Sequence, residues 1–177
     1  RHRDAGAGPR PAGAGAVTTP AARRSAAEQQ RLEAAFTEMF EQQIVFNRVL
    51  GLKVESLAPG DVRLSFEMRP ELIGHFLHQR LHGGAISATL DATGALALMV
   101  AIAERHPADD AQQVLQRFAR MGTIDLRTDF LRPGLAPRYV AQAEVTRLGG
   151  RVGSTQMRLI DDSGQLIATG SGSYIVS

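Results

Sequence analysis

The sequence predicts an α+β domain in which an antiparallel sheet covers one long apolar helix. The run Leu81 to Ala101, LHGGAISATLDATGALALMVA, is almost wholly small or apolar. Four segments with period-two patterning follow it, set off by short turn signals, as consecutive hairpins require. Before it come an amphipathic helical stretch and two short strands. A chain of 177 residues that is 44% hydrophobic and 21% charged suits one domain with a real core.

Residues 1–27 are Gly, Ala, Pro and Arg with little to bury, which predicts a disordered or processed extension ahead of a domain over 28–177. Arg23-Arg24 lead into Glu28, Gln29, Gln30 and Arg31, whereas a twin-arginine export signal needs an apolar stretch there. Leu32, Phe36, Met39, Phe40 and then 45–50 recur at helical spacing among Glu and Gln, predicting an amphipathic helix that stops at Gly51. Residues 52–57 and 62–68 read as strands around the turn Ala58-Pro59-Gly60-Asp61. The long apolar helix comes next, and 105–120 predicts a short exposed helix leading to the third strand. In 123–130, Thr123, Asp125, Arg127 and Asp129 are polar and Ile124, Leu126 and Phe130 are not. In 139–146 the odd positions are apolar. Gly149-Gly150 and Asp161-Asp162-Ser163-Gly164 are hairpin turns into 151–160 and 166–176.

A sequence pI of 9.6 invites a nucleic-acid reading, but the charge is badly placed for one. Residues 1–27 carry five arginines against Asp4, and that +4 leaves −2 for the rest of a chain of net charge +2. The folded part therefore offers no basic footprint for a phosphate backbone. With no cysteine, disulfides, thiolate metal sites and a cysteine nucleophile are all excluded, and a cytoplasmic location is expected. A helix of about twenty residues spans ~30 Å, the thickness of a bilayer core. A central Asp91 with Ser, Thr and many Ala makes a poor insertion signal, so the run predicts a core helix and no membrane span.

Asp91 is the most informative residue, since a carboxylate inside an apolar helix is costly to bury without compensation. A buried Asp satisfied by an Arg or a helix terminus is the plain alternative. Against it stands His82-Gly83-Gly84 just before the helix, where free backbone N–H groups and the positive end of the dipole can hold an oxyanion. In an obligate dimer the acid and the oxyanion hole can also meet across the interface, one from each chain.

The run Leu81 to Asp91, the later TIDLRTDFLRPG and the closing RLGGRVGSTQMRLIDDSGQLIATGSGSYIV resemble the phenylacetate-degradation type of hotdog thioesterase, within the 4-hydroxybenzoyl-CoA thioesterase superfamily. The likeness covers about 49–176. It implies a hotdog fold, a long antiparallel sheet wrapped around a central helix, with an extra N-terminal helix here. It implies acyl-CoA as substrate, of medium or long chain by likeness to relatives with the 105–120 insertion. It also implies a homodimer or dimer of dimers, sheets paired edge to edge and active sites at the interface, and no cofactor.

Carried over by position, Asp91 is the general base or nucleophile and the Gly83 N–H polarises the thioester carbonyl, within the His82-Gly83-Gly84 segment. Thr123 matches a water-orienting hydroxyl that relatives supply from the partner subunit. Arg132 and the Gly149-Gly150-Arg151 turn are candidates for coenzyme A phosphates, with Gly84 also at the substrate. Relatives place an Asn upstream of the His-Gly-Gly. Here the only Asn is Asn47, and His75 stands as the candidate for the same hydrogen bond.

A thioester is already activated, so one carboxylate base and one site for negative oxygen suffice. Phe36, Met39 and Phe40 are candidates for an acyl-tunnel wall, or plain core. His75, His78 and His82 resemble a metal site if helical, but glycines bracket them and no carboxylate beyond Glu71 is nearby, so no metal is expected. No Gly-x-Ser-x-Gly elbow and no Asn-Pro element occur, which disfavours a serine hydrolase and the hydratase branch of the fold. A non-catalytic acyl-CoA or lipid-binding hotdog protein is the alternative of a different class.

Overall fold

The computed structural model describes residues 22–177. The tail expected over 1–27 falls outside it as far as residue 21. Helix α1 (Ala26–Glu38) begins just before the boundary drawn at residue 28 and is N-capped by Ser25, whose side chain accepts from the Glu28 N–H. Arg24 is docked ahead of the cap, donating to the carbonyls of Ala103 (2.6 Å) and His106 (2.8 Å) at the far end of the central helix.

The single amphipathic helix expected up to residue 50 is broken. A π-helical turn (Met39–Gln43) follows α1, Ile44 is extended, and a separate α2 (Val45–Leu50) ends at Gly51, in the left-handed region at φ 73°. At the break, Glu41 turns onto the next strand and accepts from Lys53 Nζ and the Val54 N–H, each at 2.9 Å. The wider turn re-aims α2, so Asn47 and Leu50 are buried while Val45, Phe46 and Val49 face outwards. Phe36 and Phe40 are core residues, with Phe36 edge-on to Phe118 at 5.5 Å.

Strands β1 (Lys53–Ala58) and β2 (Asp61–Glu67) form the expected first hairpin. A small hairpin unforeseen in the sequence, β3 (Ile73–His75) with β4 (Arg80–Leu81), then leads into helix α3 (Gly83–Arg105). A short α4 (Ala111–Gln116) with a full capping box at Asp110 and a 3-10 turn (Arg117–Arg120) connect to the last strands. These are β5 (Gly122–Phe130), β6 (Arg138–Leu148), β7 (Val152–Asp161) and β8 (Leu166–Ile175). The six-stranded sheet runs β1-β2-β6-β7-β8-β5, antiparallel throughout, and α3 packs across it against β6, β7 and β2. This is the hotdog arrangement expected, with α1 as the extra N-terminal helix.

Helix α3 is long and apolar enough to cross a membrane, yet the sheet wraps it and most of that span is buried. It is a core helix. Leu90, Leu96 and Leu98 are fully buried, facing Tyr139, Ala141, Met157 and Leu159 of the sheet or Tyr174 of its last strand. The β8 glycines let the helix come close: a Cβ at Gly170 would stand 3.2 Å from Leu90.

In β5 the simple alternation fails at one point. A bulge at Ile124 sets Thr123 opposite Tyr174 but Asp125 opposite Ser173. Thr123, Leu126 and Thr128 then face the helix, Phe130 lies against Gly83 at the helix start while largely exposed, and Ile124 is pushed out to 54% exposure.

Candidate active site

The first turn of α3 is held by its own sequence. His82 is the N-cap, and its Nδ1 accepts from the Gly84 N–H at 2.8 Å, leaving the ring proton on Nε2. The His82 N–H donates to the Leu72 carbonyl and the Leu81 N–H to the Gly134 carbonyl, tying the helix start to two loops. Gly74 presses so closely on this cap that a Cβ would lie 2.8 Å from His82 Cα, which puts His75 beside the helix start. His75 itself is exposed and lies against His78, the ring centroids 4.7 Å apart and the planes tilted by 33°. The three histidines therefore divide: two pair on the hairpin and the third caps the helix.

Gly84, expected at the substrate, has its N–H committed to His82, whereas Gly83, first in the helix, has no intrahelical acceptor for its N–H. Its Cα is closely covered by Phe130, since a Cβ there would meet the ring at 3.2 Å. Arg80, Gly83, Ile86, Phe130, Leu131 and Arg132 line a groove of about 340 Å³ at this point. Arg132 spends one N–H on the Leu166 carbonyl (2.9 Å) and is otherwise exposed.

Two turns along α3, Asp91 is half-buried on the face towards β5. The Thr123 hydroxyl donates to its Oδ1 at 2.9 Å, and Oδ2 has no protein donor among the described residues. One turn earlier the Ser87 hydroxyl donates to Thr128 Oγ1 at 3.1 Å, so a polar seam separates the helix from this strand. Thr123 belongs to the same chain as Asp91. The resemblance had placed that hydroxyl on a partner, and the bulge at Ile124 is what turns it onto Asp91 of its own chain.

Tyr174, which the sequence reading did not single out, holds the same turn from below. Its hydroxyl donates to the Asp91 carbonyl at 3.2 Å and sits where Gly94 and Gly172 leave space. Burial pushes its pKa well up, and the nearby charges of Asp91 and Asp125 push it further. It acts as a neutral hydrogen-bond donor. The GSGSY stretch was the available signal: glycines two and four residues before a Tyr on one face of a strand leave room for its ring.

The expected site residues thus fall into two groups. Gly83, His82 and Arg132 lie at the start of α3, where Phe130 pairs with Ala168 and Arg132 with Ile167. Asp91 and Thr123 lie near the other end of β8, as does the Gly149-Gly150-Arg151 turn, whose Arg151 carbonyl accepts from Val176. Residues 167 and 175 on one strand are roughly 26 Å apart, so Arg132 and Gly150 of one chain cannot grip one phosphate. Gly83 and Asp91, eight residues apart in a helix, are separated by ~12 Å. A carbonyl bound to one is out of reach of a water held by the other.

The 4HBT thioesterase superfamily model matches residues 78–168. The chain belongs to the thioesterase superfamily. It is 35% identical over 139 residues to the medium/long-chain acyl-CoA thioesterase YigI of Salmonella typhimurium, covering 78% of this chain and 90% of that one. Among solved structures, a thioesterase-superfamily protein of Shewanella oneidensis superposes with a TM-score of 0.80 at 32% identity, over 87% of this chain and all of that one. The phenylacetic acid degradation protein PaaI of Thermus thermophilus does so at 0.59 and 27%, over 75% of this chain and 98% of that one. As a member of this superfamily the chain is a thioester hydrolase of hotdog fold.

Proposed function

We propose that this thioesterase hydrolyses medium- or long-chain acyl-CoA to the free acid and CoA at a site completed by a second copy of the chain. Asp91 takes a proton from water, the hydroxide oxygen attacks the thioester carbon, and the C–S bond breaks, with the proton held on Asp91 passing to the departing thiolate to release CoA and restore the carboxylate. Gly83 N–H of the other copy stabilises the negative oxygen that forms meanwhile, with the dipole of α3 behind it. Thr123 orients the carboxylate and its water. His82 keeps the helix start in shape, and His75 borders the carbonyl.

The observation that carries this reading is the placement of Asp91. It is the one carboxylate in the interior of α3, clasped by Thr123 on one oxygen and open on the other, beside an edge strand. The ~12 Å between Gly83 and Asp91 requires a partner if one carbonyl is to meet both. Edge strand β5 supplies the place, since it has unpaired backbone groups and exposed Ile124 and Phe130. A two-fold axis there sets the helix start of one copy against Asp91 of the other. Exposed Leu131, Phe76 and Leu77 offer apolar surface for an acyl chain. The chain length follows the named activity of the YigI relative. Such substrates, and a chain without cysteine, suit the cytoplasm.

The test is thiol release from acyl-CoAs of C2 to C16, with phenylacetyl- and benzoyl-CoA, for wild type and Asp91→Asn. Turnover should rise with chain length, and kcat should fall by roughly 10²–10⁴ in the variant with little change in KM. Binding without turnover in either protein would leave an acyl-CoA-binding protein instead.

A further inference from the structure

Among the described residues only two buried side-chain polar atoms lack a hydrogen-bond partner, Asn47 Nδ2 and Arg69 Nε, and both residues border the turn that ends α2. Asn47 is 4% exposed, and its backbone carbonyl accepts from the N–H groups of Gly51 and Leu52. Arg69 lies against Gly51: a Cβ there would stand 3.3 Å from its Nη1, 3.5 Å from Cζ and 3.6 Å from Nη2. Three nearly equal distances place the guanidinium face-on to the turn, so its in-plane N–H groups point past it. A cation at a helix end can complement the last carbonyls, yet none accepts from Nε. The guanidinium enters no ion pair among the described residues. Glu41 is held by Lys53 and Glu67 by Arg138, while Glu71 is exposed and beyond ion-pair distance.

Both orphaned groups are donors, and a half-buried cation without a counter-charge is costly, so the pair calls for an anionic acceptor. The parallel N–H groups of a guanidinium suit a carboxylate. Beside the turn, the outer side of α2 exposes Ile44, Val45, Phe46 and Val49, about 9 Å of apolar helix. The geometry points to a binding site here for an aliphatic monocarboxylate, its carboxylate on Arg69 and Asn47 and its chain along Val49 and Phe46. The fatty acid that the proposed reaction releases has this chemistry, and that identification rests on the acyl-CoA reading above. The site also has a route to the reaction. The Leu72 N–H donates to the Arg69 carbonyl at 3.0 Å, and the Leu72 carbonyl accepts from the His82 N–H at 2.8 Å, at the start of α3. An anion on Arg69 therefore acts on the loop that sets Gly83, and bound product slows turnover without occupying Asp91.

Two measurements test this, on the full chain and its Arg69→Gln and Val49→Asp variants, with Arg31→Ala on α1 as a charge-matched control. The first titrates acetate, octanoate, decanoate and decanol by calorimetry. Decanoate should bind wild type and Arg31→Ala alike, more tightly than octanoate by up to about fourfold per methylene, with acetate and decanol at least tenfold weaker. Arg69→Gln should lose at least tenfold for decanoate. Val49→Asp, at an exposed side chain, should lose as much, and it decides the matter should Arg69→Gln not fold. The second measurement is thiol release with added decanoate. Wild type should show inhibition that excess acyl-CoA does not relieve, and this should vanish in Arg69→Gln, whose kcat without decanoate stays at the wild-type value. Equal decanoate affinity in all proteins, decanol binding as tightly as decanoate, or purely competitive inhibition overturns the assignment. Acetate binding as tightly as decanoate overturns the aliphatic part of it. A fall in solution mass on Val49→Asp would make this face a contact between copies and overturn it too. If no thioester is cleaved at all, the catalytic reading fails while the calorimetry still decides the site.

Discussion

Replacing Gly94 by alanine tests how Asp91 is held. In an ordinary helix interior this change stabilises by about 1 kcal/mol through backbone entropy. Here the added Cβ would stand 2.5 Å from the Tyr174 hydroxyl, 2.8 Å from Thr155 Oγ1 and 3.0 Å from Met157 Sδ. Overpacking of that kind costs ~1–3 kcal/mol, so the expected net is a loss of up to about 2 kcal/mol. The displaced hydroxyl is the one on the Asp91 carbonyl, so kcat should fall by roughly ten- to a hundredfold as the carboxylate shifts. Tyr174→Phe removes the nearest obstacle along with a hydrogen bond worth about 1 kcal/mol. In that background Gly94→Ala should cost less, giving a coupling of about 1 kcal/mol between the two sites. Urea unfolding midpoints of the four proteins, with thiol-release kinetics on each, measure both quantities. If Gly94→Ala costs the same in both backgrounds, or stabilises the wild type, the hydroxyl does not occupy the gap beneath Asp91 and the reasoning fails.

Arg24→Ala removes three carbonyl contacts, to Ala103, His106 and Asp109, and should lower stability by about 1–2 kcal/mol, seen as a lower Tm with thiol release retained. For Glu41, burial pushes the carboxyl pKa up, but hydrogen bonds from Lys53 and Val54 outweigh it and hold the pKa below its usual value. A depressed folded pKa adds stability that is complete above the unfolded value near 4.5 and lost as the pH falls through the folded one. The Tm gap between wild type and Glu41→Gln should then be flat from about pH 6 to 8 and close below about pH 4, and a gap that widens in acid contradicts the assignment. Thr123→Val keeps the shape but deletes the bond to Asp91, and kcat should drop about tenfold with KM little changed.

Much of the architecture was legible because it is written locally. A twenty-residue apolar run with one carboxylate reads as a core helix from composition alone, and the glycine and aspartate turns mark the hairpins. Gly83 as a free donor follows from its place at the helix start, whereas the capping role of His82 was seen only in the structure. The break at Met39–Gln43 was not legible, since its cause is Glu41 reaching a strand twelve and thirteen residues on. Nor was the small hairpin at Ile73–Leu81, which is too short for any period to register.

By itself the sequence determined the fold class, the central helix and the identity of its one interior carboxylate, because short-range periodicity and burial cost depend on neighbours along the chain. The tertiary structure alone decided what surrounds that carboxylate. One bulged residue in β5 brings Thr123 onto Asp91 from 32 positions away, and Tyr174 reaches the same turn from 83 away. Long-range register is set by packing of the whole sheet against α3, and a single extra residue reverses which side chains face it. The separation of Gly83 from Asp91 has the same character, since helix geometry fixes the distance that the proposed second copy at the open edge of β5 would have to close.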